Sequence, residues 1–255
     1  MKIGVMNHPK QDVLKEIKWI SENGFDFIDL TIEPPEAYDI NVSKVKKALN
    51  DCNLEVIGHT NPFLPAIFPV QSIRQACLDE FREYIDVFSE LGVKLMNVHP
   101  FYDAHFFSEK EKVKANIQLL KKLNKLCTEK EITLMLENFI SPFDSLEAFE
   151  KICDEVPGLA VHLDVGHCNL GSGRDLTESF FRKLGSKIIH VHFSDNKGRN
   201  DEHLPLGCGS IEWEKIIGIM KNAGYDRTIT LEVFSYDRDY LLLSRDKLKR
   251  WWAMR

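Results

Sequence analysis

The chain lacks the features that mark several large classes of protein. No Pro/Gly/Ser-rich linker, charge block or low-complexity stretch divides its 255 residues, so a single domain over 1–255 is expected. Its longest apolar runs fall far short of the roughly 20 residues a membrane helix requires, which excludes a helical span. The start, Met1-Lys-Ile-Gly-Val-Met6, opens on a strand pattern with no charged-then-apolar leader, so no signal peptide and a cytoplasmic protein are expected. The six cysteines (Cys52, Cys77, Cys127, Cys153, Cys168, Cys208) include no C-x-x-C pair, which argues against a thiolate zinc site or a redox motif. Cys52, Cys77, Cys127 and Cys153 fall in helical patterns and are expected as buried thiols. There is no basic excess: 33 Lys and Arg against 39 Asp and Glu leave a net charge of −6, which weighs against a nucleic-acid partner. Bound divalent cations would add positive charge that the sequence does not display.

What the chain does contain is an alternation of strand and helix patterns from end to end. The strand patterns are Ile3–Met6, Phe25–Ile32, Leu54–His59, Val93–His99, Ile132–Glu137, Leu159–Asp164, Lys187–Phe193 and Thr228–Phe234. Most read as unbroken apolar runs, the mark of parallel strands buried on both faces. Helical stripes lie between them, for example Val13, Leu14, Ile17 and Ile20 before Gly24, and a long pattern from Gln71 to Leu91 before Gly92. Ser108-Glu-Lys-Glu111 has the spacing of a capping box. Eight β-then-α units predict a (β/α)8 TIM barrel, whose sites form at the C-terminal ends of the strands. A doubly wound open sheet is the rival. It loses because Asn7-His8-Pro9 stands where its glycine fingerprint would follow strand one.

Six apolar segments within these runs, Leu54–His59, Val93–His99, Ile132–Glu137, Leu159–Asp164, Ile188–His192 and Thr228–Glu232, finish on a metal-capable residue. A carboxylate ending an apolar strand must be paired or bound to a cation, because burying it alone is very costly. Glu137, Asp164 and Glu232, with His192, would therefore point into one barrel mouth. No set of strand-end lysines or arginines is available to neutralise them, so a divalent metal is expected. The N and O donors favour zinc, manganese, cobalt or iron, with magnesium open. His162 and His190, two residues before Asp164 and His192, share their strand faces one layer deeper and are expected behind the ligands. His8 and Glu33 either line the mouth or lie on the surface, and His105 reads as a loop residue.

Leu136-Glu137-Asn138, Asp164-Val-Gly-His167, His190-Val-His192-Phe-Ser-Asp195 and Asp201-Glu-His203-Leu-Pro-Leu-Gly-Cys-Gly209 resemble the xylose isomerase-like TIM-barrel superfamily. The match is to its sugar phosphate isomerase/epimerase group, of which the DNA-repair enzyme endonuclease IV is a relative. The resemblance implies that Glu137, Asp164, His192 and Glu232 hold one metal. It also implies that Glu137 and Glu232 flank the substrate as the acid/base pair, with the metal polarising a ketose carbonyl and stabilising an enediolate. Against endonuclease IV, His59 and His99 with Glu137 match a second metal, and His167 with Asp201 and His203 a third. One departure is that Val165-Gly166 stands where that enzyme's sixth-strand signature has Thr-Cys.

The expected function is a divalent-metal-dependent isomerase or epimerase of a sugar or sugar phosphate, with one to three ions, zinc or manganese first. The alternatives are an endonuclease IV-like phosphodiesterase at abasic sites in DNA and a non-catalytic sugar-binding barrel. The expected partner is a small-molecule sugar, with nucleic acid second, no membrane, and a homo-oligomer left open. Lys197, Arg199, Gly207 and Gly209 are candidate substrate contacts, the glycines as an anion cradle before the helix at Trp213. The apolar loop after His59, Asn61-Pro-Phe-Leu-Pro-Ala-Ile-Phe-Pro69, is expected as a lid over a sugar, with a DNA wedge as its alternative.

Overall fold

A computed structural model describes residues 1–102, 104–139, 141–171 and 175–254. The strands are β1 (Lys2–Met6), β2 (Phe27–Ile32), β3 (Glu55–Thr60), β4 (Leu95–Val98), β5 (Thr133–Glu137), β6 (Ala160–Asp164), β7 (Ile188–Phe193) and β8 (Thr228–Leu231). All pair in parallel, in sequence order, and β8 returns to β1 through partners such as Ile3 and Ile229, closing the barrel. The helices are α1 (Val13–Glu22), α2 (Val42–Asp51), α3 (Gln71–Leu91), α4 (Glu109–Glu129) and α5 (Leu146–Glu155). Then come α6 (Val165–Cys168), α7 (Thr177–Leu184), α8 (Trp213–Asn222) and α9 (Asp239–Ala253). The fold is therefore the expected (β/α)8 barrel.

Local chemistry sets many of the helix ends. Asp12, Asn41 and Ser145 each accept a backbone N–H in the first turn of the helix they precede. Ser108 and Glu111 form the reciprocal capping box that opens α4. Gly92 stops α3 at φ +82°, a conformation that costs a residue with a Cβ more. Three details differ from the sequence reading. β4 and β8 end one residue short of His99 and Glu232, so these side chains hang from the first loop residue. Cys52 is the C-cap of α2 and only half-buried, whereas Cys77, Cys127 and Cys153 are buried. The four-residue α6 is too short for periodicity to reveal it.

Most of the core lies between barrel and helices, where α1, α3 and α4 bring in Ile17, Ile20, Phe81, Phe88, Leu120 and Leu123. The barrel interior is divided. Phe27, Ile57, Met135 and Ala160 form a separate apolar cluster towards the strand N-termini. Gly4 makes room for it, since a Cβ there would lie 2.3 Å from the Phe27 ring. Farther along the strands the interior turns polar, with Asp29, Asn97, His162, His190 and Thr230 all fully buried. That departs from the branched aliphatic layers common in such barrels. No helix among the described residues is long and apolar enough to cross a membrane.

Candidate metal centre

Adjacent parallel strands put side chains of one register at one height, and this brings the strand-end residues together. Asp164 pairs with His192 across β6 and β7, and His192 with Thr230 across β7 and β8. One donor atom from each of Glu137, Asp164, His192 and Glu232 lies within 4.8 Å of the others, and all four residues are buried. A second set, His59, His99 and Glu137, meets the same spacing, so Glu137 belongs to both. At the rim, Asp201 Oδ2 lies 3.1 Å from His167 Nε2 and 3.0 Å from His203 Nε2. The nine expected ligands thus occupy one continuous patch at the barrel mouth.

Side-chain hydrogen bonds hold this patch in shape. Asn138 accepts from the Asp164 N–H (2.7 Å) and donates to the Asp164 carbonyl (2.9 Å), fastening the end of β5 to that of β6. Asp164 caps α6 by accepting the His167 N–H at 2.6 Å. The His167 ring in turn donates through Nδ1 to the Asn138 carbonyl at 2.8 Å. Asn97 donates to Glu137 Oε2 at 2.6 Å and fixes one of its oxygens. Neither Asn97 nor Asp29 was singled out from the sequence. Both sit inside apolar runs rather than at their ends, and a carboxylate between Ile28 and Leu30 was the available signal.

The electrostatics report an excess of buried negative charge. Burial pushes Asp164 up to about 7; His167 opposes this, while Glu137 and Glu232 add to it. Burial also works against the charged form of Glu137, but His99, His162 and His192 hold that carboxyl well below its ordinary range. His192 is driven well above the usual imidazole range against its burial, by Glu232 and Asp29 first. His203 rises to about 9 in the same way, through Glu232 and Asp201. Imidazolium protons therefore stand where a cation would.

The donor set fits a divalent ion. Asp164 Oδ2 and His99 Nδ1 are buried with no hydrogen-bond partner. The four-residue set of three carboxylates and one imidazole is of the hard-to-intermediate kind that such ions select. His162 lies deeper, as expected: its Nδ1 is 3.2 Å from Glu137 Oε2, but neither ring nitrogen makes a hydrogen bond.

A cavity of about 430 Å³ opens above the centre, and His8, Lys10, Glu33, Phe63, Phe139 and Phe234 line it with the metal-site histidines. His8 and Glu33 thus belong to the mouth, and His105 is an exposed loop residue. The loop after His59 is anchored by buried Ala66 and Ile67, while Phe63 stands 73% exposed at the cavity rim. Lys197, Arg199, Gly207 and Gly209 are not brought to this cavity. Lys197 is exposed and faces Glu202 at 3.9 Å, and Arg199 is exposed. The expected anion cradle is filled by the protein itself. Asp195 accepts the Gly207 N–H (2.7 Å), the Ile211 N–H (3.3 Å) and the Trp213 indole N–H (2.9 Å). A Cβ at Gly209 would collide with Asn196 and Asp195 at 2.2 Å. These contacts shape the loop that carries Asp201 and His203, so the glycines serve the site indirectly.

A closed parallel barrel with buried carboxylates and histidines converging at the C-terminal mouth is a TIM barrel with a candidate metal site. The chain belongs to the xylose isomerase-like TIM barrel family, whose model matches residues 17–252. It is 27% identical to the protein MJ1311 of Methanocaldococcus jannaschii, over 91% of this chain and 83% of that one. It is similar to fructoselysine 3-epimerase of Shigella flexneri (23% identity; 100% of this chain, 98% of the relative). It is also similar to a probable endonuclease 4 of Campylobacter hominis (25%; 72% and 70%). Among solved structures, a D-tagatose 3-epimerase-like protein superimposes with a TM-score of 0.84 at 26% identity, covering 98% of this chain and 97% of the other.

Proposed function

We propose that this protein is a divalent-metal-dependent epimerase or isomerase of a small ketose or its phosphate, in which Glu137 and Glu232 exchange the substrate proton. The observation carrying this reading is that the two glutamates share one four-donor set with Asp164 and His192 beneath a sugar-sized cavity. The bound cation, zinc or manganese, would supply charge stabilisation for the oxygen beside the carbon that loses its proton. The rest of the chemistry belongs to the side chains. Glu137 is kept ionised by its imidazole neighbours, so it can accept a proton from carbon. Glu232, beside His192 and His203, is likewise held in the carboxylate form and can act from the other side of the substrate. One glutamate takes the proton as a carboxylate. The other, once it has taken up a proton from solvent, gives that proton to the opposite face, which inverts the carbon and leaves the pair to exchange protons with solvent before the next turnover. Phe63, Phe139 and Phe234 wall the cavity and reduce water around the carbanion-like intermediate. Residence in a reducing cytoplasm belongs to the same reading, supported by six cysteines without a C-x-x-C pair.

The expected result is deuterium uptake from solvent at the epimerised carbon of a ketose, abolished in both Glu137→Gln and Glu232→Gln. A wild type that binds ketoses yet exchanges no proton at any tested substrate would move the reading to a sugar-binding barrel. The second reading, a phosphodiesterase at abasic DNA, draws on the His59–His99–Glu137 set and on the Asp201 cluster, which extend the centre beyond one ion. Three metals per chain together with nicking of an abasic duplex would support it. One metal and no nicking would exclude it.

A further inference from the structure

Beneath the four donors lies a carboxylate that they do not use. Asp29, within β2, is fully buried, and three hydrogens converge on its Oδ2. They come from His192 Nε2 at 2.7 Å, Thr230 Oγ1 at 2.9 Å and His190 Nε2 at 3.2 Å. Its Oδ1 has no hydrogen-bond partner and lies 3.7 Å from His59 Nδ1. An ionised carboxylate has lone pairs only, so its hydrogen bond with an imidazole nitrogen requires the hydrogen to sit on the ring. For His192 this places a hydrogen on Nε2, and in the metal-free ring the Glu232 contact places one on Nδ1 as well. Once an ion displaces the Nδ1 hydrogen, the ring keeps its Nε2–H on Asp29 and carries its lone pair on Nδ1. That atom lies 3.1 Å from Glu232 Oε2 and 3.9 Å from Asp164 Oδ2, inside the donor set.

The surroundings leave His192 little freedom once Asp29 holds it. The His59 ring stacks on it with centroids 5.5 Å apart, and the His162 ring meets it edge-on at 4.0 Å. Neither of these rings makes a hydrogen bond to His192, so Asp29 is its anchor on the Nε2 side. His190 is held by the same oxygen and, through Nδ1, by Thr228 Oγ1 at 2.8 Å. The carboxylate therefore ties β2 to β7 and β8 directly under the centre.

We infer that Asp29 is a positioning residue of the metal centre: it fixes the His192 ring with Nδ1 turned towards the ion and makes that nitrogen a stronger donor. An imidazole ligand whose remote N–H rests on a carboxylate binds metal about 10–100-fold more tightly than one without that support. The inference rests on the metal-dependent reading above, but its test requires metal binding alone and no turnover.

The experiment compares wild type, Asp29→Asn and Asp29→Ala in Zn²⁺ affinity by chelator competition, in metal stoichiometry, and in the visible spectrum of the Co²⁺-loaded protein. Asp29→Asn keeps the shape but offers one oxygen acceptor and no charge. It should lose at least about tenfold in affinity, at unchanged stoichiometry and with altered Co²⁺ bands. Asp29→Ala should lose more; where it does not fold, Asp29→Asn decides. Wild-type affinity and an unchanged Co²⁺ spectrum in Asp29→Asn, with only the metal-free protein destabilised, would make Asp29 a purely structural group and overturn the inference. Loss of a whole metal equivalent would also overturn it, by making Asp29 a ligand. A wild type that binds no metal would remove the metal-dependent reading along with it. Absence of ketose turnover in a protein that shows the Asp29→Asn effect would remove only the epimerase reading.

Discussion

Glu137 belongs to two of the compact donor sets and receives hydrogen bonds or close contacts from Asn97, His99, His162 and His167. Such crowding explains why a carboxyl that burial would neutralise remains ionised, and it makes this residue the least replaceable of the site. The opposite situation holds at Gly4, where the requirement is for no side chain at all. A methyl group at this position would press into the ring of Phe27, its register partner on β2. Gly4→Ala should lower stability by about 1–3 kcal/mol, as overpacked cores do, measured by urea unfolding of the metal-free protein. A change under about 0.5 kcal/mol would mean that the lower barrel layer is looser than its geometry implies.

At the scale of elements, an ion pair helps to join the first and last helices, beside the hydrogen bond from Arg245 to the Asn23 carbonyl. Glu16 on α1 is buried, and Arg238, the N-cap of α9, reaches it with two hydrogen bonds of 2.9 Å. The guanidinium also covers the Trp19 ring, 3.6 Å from its centroid. Arg238→Ala would leave the Glu16 carboxylate buried without its partner. The expected cost is about 2 kcal/mol, low for a buried pair because the Arg238 side chain is 36% exposed. Arg238→Lys should recover only part of it, since an ammonium cannot make both bonds of the fork. Equal stability of Arg238→Ala and wild type would show that α9 is held by its other contacts, the apolar face and the Arg245, Lys247 and Ser244 hydrogen bonds.

For the whole molecule, the quantity that changes with pH is metal affinity. Asp164, pushed up to about 7, carries a proton in mildly acidic solution, and an incoming cation must displace it. His203, raised to about 9, must likewise lose a proton before it can donate a lone pair. Affinity should therefore fall as pH drops through 7, and it should keep rising towards pH 9 for any ion that uses His203. Calorimetry in buffers of different ionisation enthalpy would count the protons released. No release near pH 6 would contradict the assignment of Asp164 as a ligand.

How much of this was readable in advance follows from range. Apolar runs, capping residues and helix-stopping glycines act over a few positions, and the amino-acid sequence alone determined the eight strands, the barrel and the strand-end placement of Glu137, Asp164, His192 and Glu232. The loop glycines show where that reading failed. Gly207 and Gly209 have the composition of an anion site, but their partner is Asp195, and no local rule reveals which anion a turn encloses. Asp29 shows the same limit from the other side. It looks like one polar residue in an apolar strand until barrel closure brings β7 and β8 against it. Strand periodicity fixes which side chains face inward, whereas the closed sheet fixes which of them meet. The kind of chemistry at the mouth was thus set by the sequence, and only the tertiary structure decided which carboxylates face the cavity and which one lies beneath to hold the others in place.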